Sequence, residues 1–308
     1  MNDLWEYDLS TGNWQWQRGI KEASQPGVYG TKGLASSETM PGARQSYAAC
    51  QSNGKLYLFG GQGVGASSVG YLNDLWEYNT TTGNWRWISG SQEISLPGVY
   101  GTQGVAEINN SPGGRARAVM WHSNGKLYLF GGQGYAASTT GSLNDLWEYD
   151  LQTGTWTWLK GGNVGNQVGS YGTQGVPSAA NTPGGRASAT GWQSNGKLYL
   201  FGGQGYSASN GGFLNDLWEY DPSTGHWTWL EGSDLGNKPG EYGTQGVPDE
   251  VNAPGGRVSA VGWLNSGKLY LFGGQGFAVS TSGVLNDLWE YDLQTGTWTW
   301  LKLSLIHI

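Results

Sequence analysis

The strongest constraint on the fold is a six-residue sequence, Asn-Asp-Leu-Trp-Glu-Tyr, which occurs five times in 308 residues. Each copy begins 71 residues after the previous one. Gly-Lys-Leu-Tyr-Leu-Phe-Gly-Gly-Gln-Gly precedes four of the copies, and a Trp-x-Trp sequence follows all five. A fixed period of this kind indicates one supersecondary unit that is repeated and stacked. The copies begin at Asn2, Asn73, Asn144, Asn215 and Asn286.

The composition is that of aromatic strands joined by glycine-rich turns. Charged residues make up 13% of the chain, against about 25% in an average domain, and there are 55 glycines, 18 tryptophans and 17 tyrosines. The aromatic content excludes a disordered chain. The net charge of −7 argues against a nucleic-acid partner. No apolar run reaches the ~18 residues of a membrane span. Leu4 and Trp5 already belong to the repeat, so we expect no signal peptide in this sequence.

Each complete repeat is predicted to contain four strands. In the second full repeat an Asn-Gly turn, Asn124-Gly125, joins the first two, which is a strong hairpin signal, and a turn around Thr153-Gly154 joins the last two. In the second strand, Leu127 and Leu129 alternate with Tyr128 and Phe130, as expected for a strand buried on both faces. The repeat therefore predicts one antiparallel sheet and no helix. In the second full repeat the strands are predicted at 115–121, 126–130, 145–149 and 155–158.

Three features together resemble the kelch repeat. They are the Gly131-Gly132 pair that closes the second strand, the Asn-Asp-Leu-Trp-Glu-Tyr third strand, and the fourth strand that ends in Trp-x-Trp. The resemblance covers essentially residues 1–302 and implies an all-β fold, the kelch-type β-propeller. The period of 71 residues exceeds the ~50 of a typical kelch unit. The chain is also similar to bacterial secreted or surface kelch proteins and to the galactose oxidase central-domain superfamily, which implies an extracellular or cell-surface location.

We predict a single propeller domain over residues 1–302. The first repeat contributes only two strands, at 4–7 and 14–16, and Met1 stands where later copies have leucine. We therefore expect an incomplete ring from a truncated parent, with open sheet edges able to self-associate. Residues 303–308 break the repeat and resemble a translated sequencing adapter, as in a metagenomic fragment. The predicted half blade is 1–17, and the four blades are about 43–88, 114–159, 185–230 and 256–301.

The length beyond a typical kelch unit lies in the long connections between blades. Because neighbouring strands alternate in direction, these connections share one rim with the loops between second and third strands. Those loops differ most among the repeats, as residues 64–71 and 277–284 illustrate. Loops on a rigid scaffold often carry binding residues. Two interpretations stay open: diversification for recognition, or absence of constraint. The connections are residues 18–43, 88–114, 159–185 and 230–256.

A tyrosine recurs in each connection, within Tyr-Gly-Thr-(Gln/Lys)-Gly. It could anchor the connection by packing back on the framework. Alternatively, the four tyrosines could form an exposed ring that stacks on sugars or grips a protein segment. They are our first candidate binding residues: Tyr29, Tyr100, Tyr171 and Tyr242.

An arginine opens the innermost strand of each repeat. It could form a buried ion pair with the glutamate of its own repeat, of which Glu77 is the example. Alternatively, a ring of guanidinium groups could face a ligand near the axis. The second set of candidate binding residues is therefore Arg44, Arg115, Arg186 and Arg257.

The sequence predicts no catalytic residue, metal ion or cofactor. Gly131–Gly134 superficially suggests a phosphate loop, but such loops open a helix and no helical pattern follows. Copper radical oxidases related to the kelch fold need histidine and tyrosine ligands and a cysteine crosslinked to tyrosine. Here His122, His226 and His307 are scattered, and Cys50 is the single cysteine, which also excludes an intrachain disulfide.

Near-identical repeats suit repeated contacts better than catalysis. An active site needs unlike groups side by side, whereas these repeats present the same residue several times. We therefore predict a non-catalytic binding or scaffold module that recognises a protein or an extended glycan through the long connections. The alternative is an accessory propeller domain of a larger secreted carbohydrate-active enzyme whose catalytic part is absent from this sequence.

Overall fold

The computed structural model describes residues 1–303. Apart from Leu303, the predicted non-native tail therefore lies outside the described residues. The described residues contain 26 strands and no helix. All the strand pairings given below are antiparallel, which confirms the predicted all-β class. We call residues 1–18 the N-terminal hairpin and residues 19–89, 90–160, 161–231 and 232–303 the first to fourth full repeats.

The strands are numbered in chain order. The N-terminal hairpin contains β1 (Leu4–Asp8) and β2 (Asn13–Arg18). The first full repeat contains β3 (Ala35–Ser36), β4 (Arg44–Gln45), β5 (Ala48–Ser52), β6 (Lys55–Val64), β7 (Val69–Asn79) and β8 (Asn84–Ser89). The second contains β9 (Ala106–Glu107), β10 (Arg115–Ala116), β11 (Val119–Ser123), β12 (Lys126–Phe130), β13 (Gln133–Tyr135), β14 (Thr140–Ser142), β15 (Leu146–Asp150) and β16 (Thr155–Lys160).

The last two repeats follow the same plan. The third contains β17 (Arg186–Ala187), β18 (Thr190–Ser194), β19 (Lys197–Tyr206), β20 (Gly211–Asp221) and β21 (His226–Glu231). The fourth contains β22 (Arg257–Val258), β23 (Val261–Asn265), β24 (Lys268–Phe277), β25 (Ser282–Asp292) and β26 (Thr297–Leu303).

The chain divides into two compact units. The first comprises residues 1–129, 133–140 and 147–158, and the second comprises 130–132, 141–146 and the described residues from 159 onward. The single domain predicted over residues 1–302 stays a prediction.

The first full repeat shows the sheet most completely. Its strand order is β3-β8-β7-β6, with β4 and β5 both paired to β6. The third and fourth repeats have the same order without the outermost strand. In the second repeat the strands form two sheets, ordered β11-β12-β15-β16-β9 and β10-β13-β14.

The innermost strand differs from the prediction. A single strand was expected at 115–121, but the structure has β10 and β11 separated at Arg117, whose φ is +59°. Ser46, Ser188 and Ser259 have the same left-handed backbone, with φ of 54°, 58° and 55°. This conformation turns the chain out of the extended region. The sequence gives no sign of the break, because glycine is not used at this position.

In the second repeat the central strands β12 and β15 agree with the predicted 126–130 and 145–149, whereas in the other three full repeats the central strands continue past the Gly-Gly pair, which forms a bulge rather than an end. Gly60 and Gly61 have φ of +61° and +99°, and the β6–β7 pairing resumes beyond them. A Cβ atom at Gly61 would lie 2.7 Å from the carbonyl oxygen of Gln45. These glycines therefore serve a close approach of backbones, not a phosphate.

Aromatic and leucine side chains form the core. Leu127 to Phe130 are all buried, which agrees with the prediction of a strand covered on both faces. Rings also contact between consecutive repeats: the centroids of Phe59 and Trp156 are 5.7 Å apart in an edge-to-face arrangement. Packing between repeats, as well as within each sheet, therefore buries the large side chains.

Candidate functional site

The aspartate of the six-residue sequence is the centre of a buried polar cluster. In the third repeat, Asp216 accepts two hydrogen bonds from Arg186, at 2.6 and 2.8 Å. It also accepts from the Tyr171 hydroxyl at 2.6 Å and the Trp218 indole nitrogen at 2.7 Å. Four charge-assisted or polar donors thus satisfy one fully buried carboxylate.

The same cluster occurs in the first and fourth repeats. Arg44 donates to Asp74 at 2.6 and 2.7 Å, and Arg257 donates to Asp287 at 2.7 and 2.8 Å. Burial alone would raise the pKa of Asp287, but the hydrogen bonds and charge of Arg257 lower that pKa below its ordinary value. In the second repeat, Arg115 is fully buried and its Nε donates to the carbonyl oxygen of Gly113.

The structure corrects the predicted partner of the arginines. The expected partner was the glutamate of the Glu77 type, whereas the observed partner is the aspartate three residues earlier. Glu77 instead pairs with Lys55 at 3.1 Å and Arg86 at 3.0 Å. Asp and Glu stand on the same strand, and the pairing across the sheet decides which carboxylate faces the arginine. The glutamates of the other three repeats pair with Lys126, Lys197 and Lys268.

The tyrosines of the long connections pack against two tryptophans of the same full repeat. Tyr171 lies 4.8 Å from Trp218 and 5.1 Å from Trp229, measured between ring centroids. Burial and the neighbouring Asp216 raise the pKa of its hydroxyl far above the ordinary value. The equivalent residues Tyr29, Tyr100 and Tyr242 contact the corresponding tryptophans at 4.8 to 5.2 Å.

Asparagine, the first residue of the six, holds the connection that follows it. Asn215 donates to the carbonyl oxygen of Pro254 and accepts from the backbone N–H of Ser233. Asn2 makes the equivalent bonds to Pro41 and Ile20. Every member of the recurrent sequence thus has a structural contact, which explains why the six letters repeat.

These contacts assign the eight candidate binding residues to the framework. Tyr29, Tyr100 and Tyr171 are buried, Tyr242 is half-buried, and the arginine side chains are covered. An exposed ring of tyrosines or guanidinium groups is therefore not what the described residues present. Their anchoring and ion-pair roles, both considered from the sequence, account for the observed contacts.

The long connections lie against the loops between the central strands. We call these loops the tips; they are residues 64–71, 135–142, 206–213 and 277–284. The Gly240 N–H donates to Ala278 of one tip, and the Asn237 N–H donates to Phe213 of the tip before it. Gly98 and Ser95 make the same two kinds of bond, to Ala136 and Tyr71. A connection is therefore fixed between two consecutive tips.

The connections also reach the outer edge of the sheet. In the first repeat β3 pairs with β8, and in the second β9 pairs with β16. In the third and fourth repeats this contact is reduced to single bridges, Ser178 to Trp227 and Asp249 to Trp298. Part of each long connection therefore covers the outer edge strand of the sheet. This cover lowers the exposure of unpaired backbone groups on that strand.

Half-buried aromatic side chains stand at the base of the tips. Phe213 and Phe277 belong to consecutive tips, and their ring centroids are 6.1 Å apart. Tyr71 and Tyr135 form the equivalent pair in the first unit, also at 6.1 Å. Tyr206 is half-buried as well. Our sequence reasoning noted the variability of these loops but missed their recurrent aromatic positions, which were visible in the alignment of the repeats.

Two titratable groups have shifted pKa values without belonging to the recurrent clusters. Burial raises the pKa of Glu231 to about 7, against a backbone hydrogen bond from Gly232 that lowers it, and the charge of Glu250 raises it further. Burial also raises the pKa of the Cys50 thiol to about 12.

The described residues include no candidate metal site and no candidate membrane-spanning helix. Among residues 1–303, no group of three histidine, cysteine, aspartate or glutamate side chains is arranged to hold a metal ion. Over the same residues, no helix has the length and apolar character needed to cross a bilayer. His307, one of the three histidines, lies outside the described residues.

Comparison with known proteins identifies the class. Residues 35–169 match the KLHDC2/KLHL20/DRC7 Kelch-repeats domain, and residues 185–228 and 265–299 match the Kelch motif. The chain contains kelch repeats, and its fold class is the kelch β-propeller, as predicted from the sequence.

Curated relatives have low identity but long matched regions. Kelch domain-containing protein 3 of Bos taurus is 26% identical over 245 residues, which are 77% of this chain and 49% of that protein. The Homo sapiens protein of the same name gives the same values. Multiple epidermal growth factor-like domains protein 8 of Homo sapiens is 27% identical over 251 residues, 81% of this chain and 7% of that protein. The chain thus spans about half the length of the first relatives.

Proposed function

We propose that this chain is a non-catalytic protein-binding module whose binding surface is formed by the tips. The observation that carries this proposal is the difference between the recurrent residues and the tips within each repeat. The recurrent residues are buried in polar and aromatic clusters, whereas the tips vary and present half-buried aromatic side chains. Aromatic side chains on a rigid support are frequent anchors of protein interfaces.

The aromatic pairs support binding across consecutive repeats. The Phe213–Phe277 pair joins the third and fourth repeats, and the Tyr71–Tyr135 pair joins the first and second. A partner segment that contacts one pair touches two tips at once. The connection held between the tips by backbone hydrogen bonds limits the loss of conformational entropy on binding.

The contacts support a protein partner over an extended glycan. The glycan hypothesis relied on exposed tyrosine rings, and those rings pack against tryptophans instead. The accessory role in a carbohydrate-active enzyme stays an alternative prediction without a specific contact in its favour. An extracellular or cell-surface location is part of the proposal and is supported by composition and resemblance; self-association through open sheet edges and a bacterial metagenomic origin also stay predictions.

Site-specific photo-crosslinking tests the binding surface. Benzoylphenylalanine replaces Phe277 in one variant and Gln152, an exposed turn residue, in a control. Each variant is irradiated with a protein extract or with a panel of polysaccharides. We expect protease-sensitive adducts at position 277. An excess of unlabelled wild-type chain should compete these adducts away, whereas the same excess of the Tyr206→Ser, Phe213→Ser double variant should not. Equal adducts at both positions, or adducts with polysaccharide alone, would refute the proposal.

A further inference from the structure

The glutamine of the recurrent Gly-Gly-Gln-Gly sequence differs from the buried recurrent residues. Gln62 and Gln204 are exposed, and among the described residues neither side chain has a hydrogen-bond partner. The recurrent glutamines of the long connections are exposed too, but Gln174 donates to the carbonyl oxygen of Leu230. We call the glutamines of the Gly-Gly-Gln-Gly sequence the strand glutamines; they are Gln62, Gln133, Gln204 and Gln275.

The fold accounts for the glycines on either side of a strand glutamine but not for its side chain. A Cβ atom at Gly63 would lie 2.3 Å from the carbonyl oxygen of Ala43, so glycine is needed there. The backbone of Gln62 pairs with Gln45 on β4 and with Tyr71 on β7. An exposed strand position of this kind favours β-branched or aromatic residues, and pairing of its backbone does not require glutamine.

The residues that flank the strand glutamines across the sheet vary, while the glutamine stays the same. On the third strand the residue opposite is Tyr71, Phe213 or Val284 in the first, third and fourth repeats. A side chain that is constant between varied neighbours is expected to contact something that is itself constant. The residues opposite on the innermost strand are Gln45, Ala116, Ala187 and Val258.

Two strand glutamines lie beside the aromatic pairs at the base of the tips. Directly opposed residues of an antiparallel pair project from the same face of the sheet. Gln204 is opposite Phe213, whose ring contacts Phe277 of the next tip. In the first unit Gln62 is opposite Tyr71, whose ring contacts a tyrosine of the next tip in the same way. Each compact unit therefore presents an exposed carboxamide next to one aromatic pair.

We propose that Gln62 and Gln204 bind the main chain of an extended protein segment whose side chain packs on the neighbouring aromatic pair. A carboxamide has both donor and acceptor groups, so it is complementary to the C=O and N–H groups of the peptide backbone. The main chain is the part of a protein partner that does not change with its sequence, which suits a constant glutamine. The varied residue opposite then contacts the side chain. This inference rests on the proposed function, because it specifies what the tips bind.

Peptide binding to the full chain tests the role of Gln204. Peptides are selected on the wild-type chain from a display library of random short sequences, and those that crosslink to benzoylphenylalanine at position 277 are synthesised. Gln204→Met keeps the length of the side chain and removes the carboxamide. It should weaken binding in fluorescence anisotropy by about three- to tenfold, as expected for the loss of one or two hydrogen bonds. The melting temperature should not change, because the Gln204 side chain is exposed and has no hydrogen-bond partner among the described residues.

A matched control makes the same chemical change elsewhere. Gln152 is an exposed turn residue, so Gln152→Met should bind the peptides as the wild-type chain does. A series of each peptide with one backbone amide N-methylated then identifies the contacted peptide group. At that position N-methylation should weaken binding to the wild-type chain, and Gln204→Met should cause no further loss, whereas at other positions the two effects should add. A purely structural role of Gln204 would not couple to one peptide amide.

The outcomes separate this inference from the proposed function. Wild-type affinity in Gln204→Met, together with a loss in the Tyr206→Ser, Phe213→Ser double variant, would overturn main-chain binding by Gln204 and leave the tips as the binding surface. Additive effects of Gln204→Met and N-methylation at every peptide position would also overturn it. Full affinity in both Gln204→Met and the double variant, or a wild-type chain that selects no peptide, would overturn both proposals.

Discussion

The N-terminal hairpin and the third full repeat contain the same six residues in different surroundings. The indole of Trp5 donates to Asp3 at 2.8 Å, and the indole of Trp218 donates to Asp216 at 2.7 Å, so the local contact is the same. Trp218 is nevertheless fully buried, whereas Trp5 is exposed. The difference teaches that local sequence makes the strand and its short-range hydrogen bond, while neighbouring strands and repeats decide burial.

The hairpin and the third repeat make the same contacts to the connection that follows them, but they differ in the contacts to residues that precede them in the chain. The Asn2 side chain makes the same hydrogen bonds to the connection that follows it as the Asn215 side chain does. Asp216, however, receives the side chains of Arg186 and Tyr171, which come from the connection and inner strand that precede it in its own repeat. The hairpin therefore serves as an internal reference for what the rest of a repeat adds.

The largest expected effect concerns the buried ion pair. Asp216→Asn should lower the free energy of unfolding by about 3–5 kcal/mol, because it leaves the buried Arg186 guanidinium without its countercharge. The matched Asp3→Asn substitution in the hairpin should cause little change. Urea unfolding followed by tryptophan fluorescence measures both. Equal losses in the two variants would contradict the difference drawn between hairpin and repeat.

The next prediction compares the anchoring tyrosine of the third repeat, Tyr171, with a tyrosine of the hairpin. Tyr171→Phe removes the hydroxyl that donates to Asp216 and should cost about 1–2 kcal/mol, since a buried acceptor loses a partner. Proteolysis within connection 159–185 should also accelerate, because the ring and hydroxyl fix this segment. Tyr7→Phe in the hairpin is the control and should change neither measurement. An unchanged cleavage rate in Tyr171→Phe would argue against an anchoring role.

Glu231 should make the stability of the folded chain vary with pH. Because its pKa is raised to about 7 in the folded chain, the folded state holds an extra proton between about pH 4.5 and pH 7. Stability should therefore fall as pH rises through this window and stay level above it. Glu231→Gln should remove the slope, a gain of about 1 kcal/mol at pH 8 after allowance for partial exposure.

Thermal melts from pH 4 to pH 8 measure this effect. The equivalent position in the hairpin is Arg18 and in the second repeat Lys160, so Arg18→Gln is a control that should leave the slope unchanged. Glu250→Gln should reduce the slope in part, because the neighbouring charge is a smaller cause of the shift. A wild-type profile without a fall between pH 4.5 and pH 7 would contradict the prediction.

The smallest effect concerns Cys50, which occupies the position of Trp121 and Trp192. It lines a cavity of about 480 Å³ beside the hairpin, together with Leu4 and Trp85. Since burial raises its pKa to about 12, alkylation by iodoacetamide at pH 8 should be at least about tenfold slower than for free cysteine. Unfolding in urea should restore the ordinary rate. Rapid alkylation of the folded chain would show that the cavity is open to solvent.

Much of the architecture could be predicted from periodicity. The strand order, the doubly covered strand at Leu127 and the rim shared by connections and tips all followed from the 71-residue repeat and strand alternation. The break at Arg117 could not be predicted, because a left-handed backbone at serine or arginine leaves no mark in the sequence. The candidate binding residues were recurrent, and their recurrence reflected structural need.

By itself the sequence determined the kelch repeat, its strands and its aromatic core, because a fixed spacing of apolar and glycine residues allows few other packings. The tertiary structure alone decided that Arg186 faces Asp216 rather than the glutamate three residues on, and that Tyr171 points inward. It also decided that Trp14 and Phe272 are exposed, whereas their equivalents in the other repeats are buried. The physical reason is that burial and charge pairing depend on side chains brought together from distant parts of the chain, which spacing within one repeat does not encode.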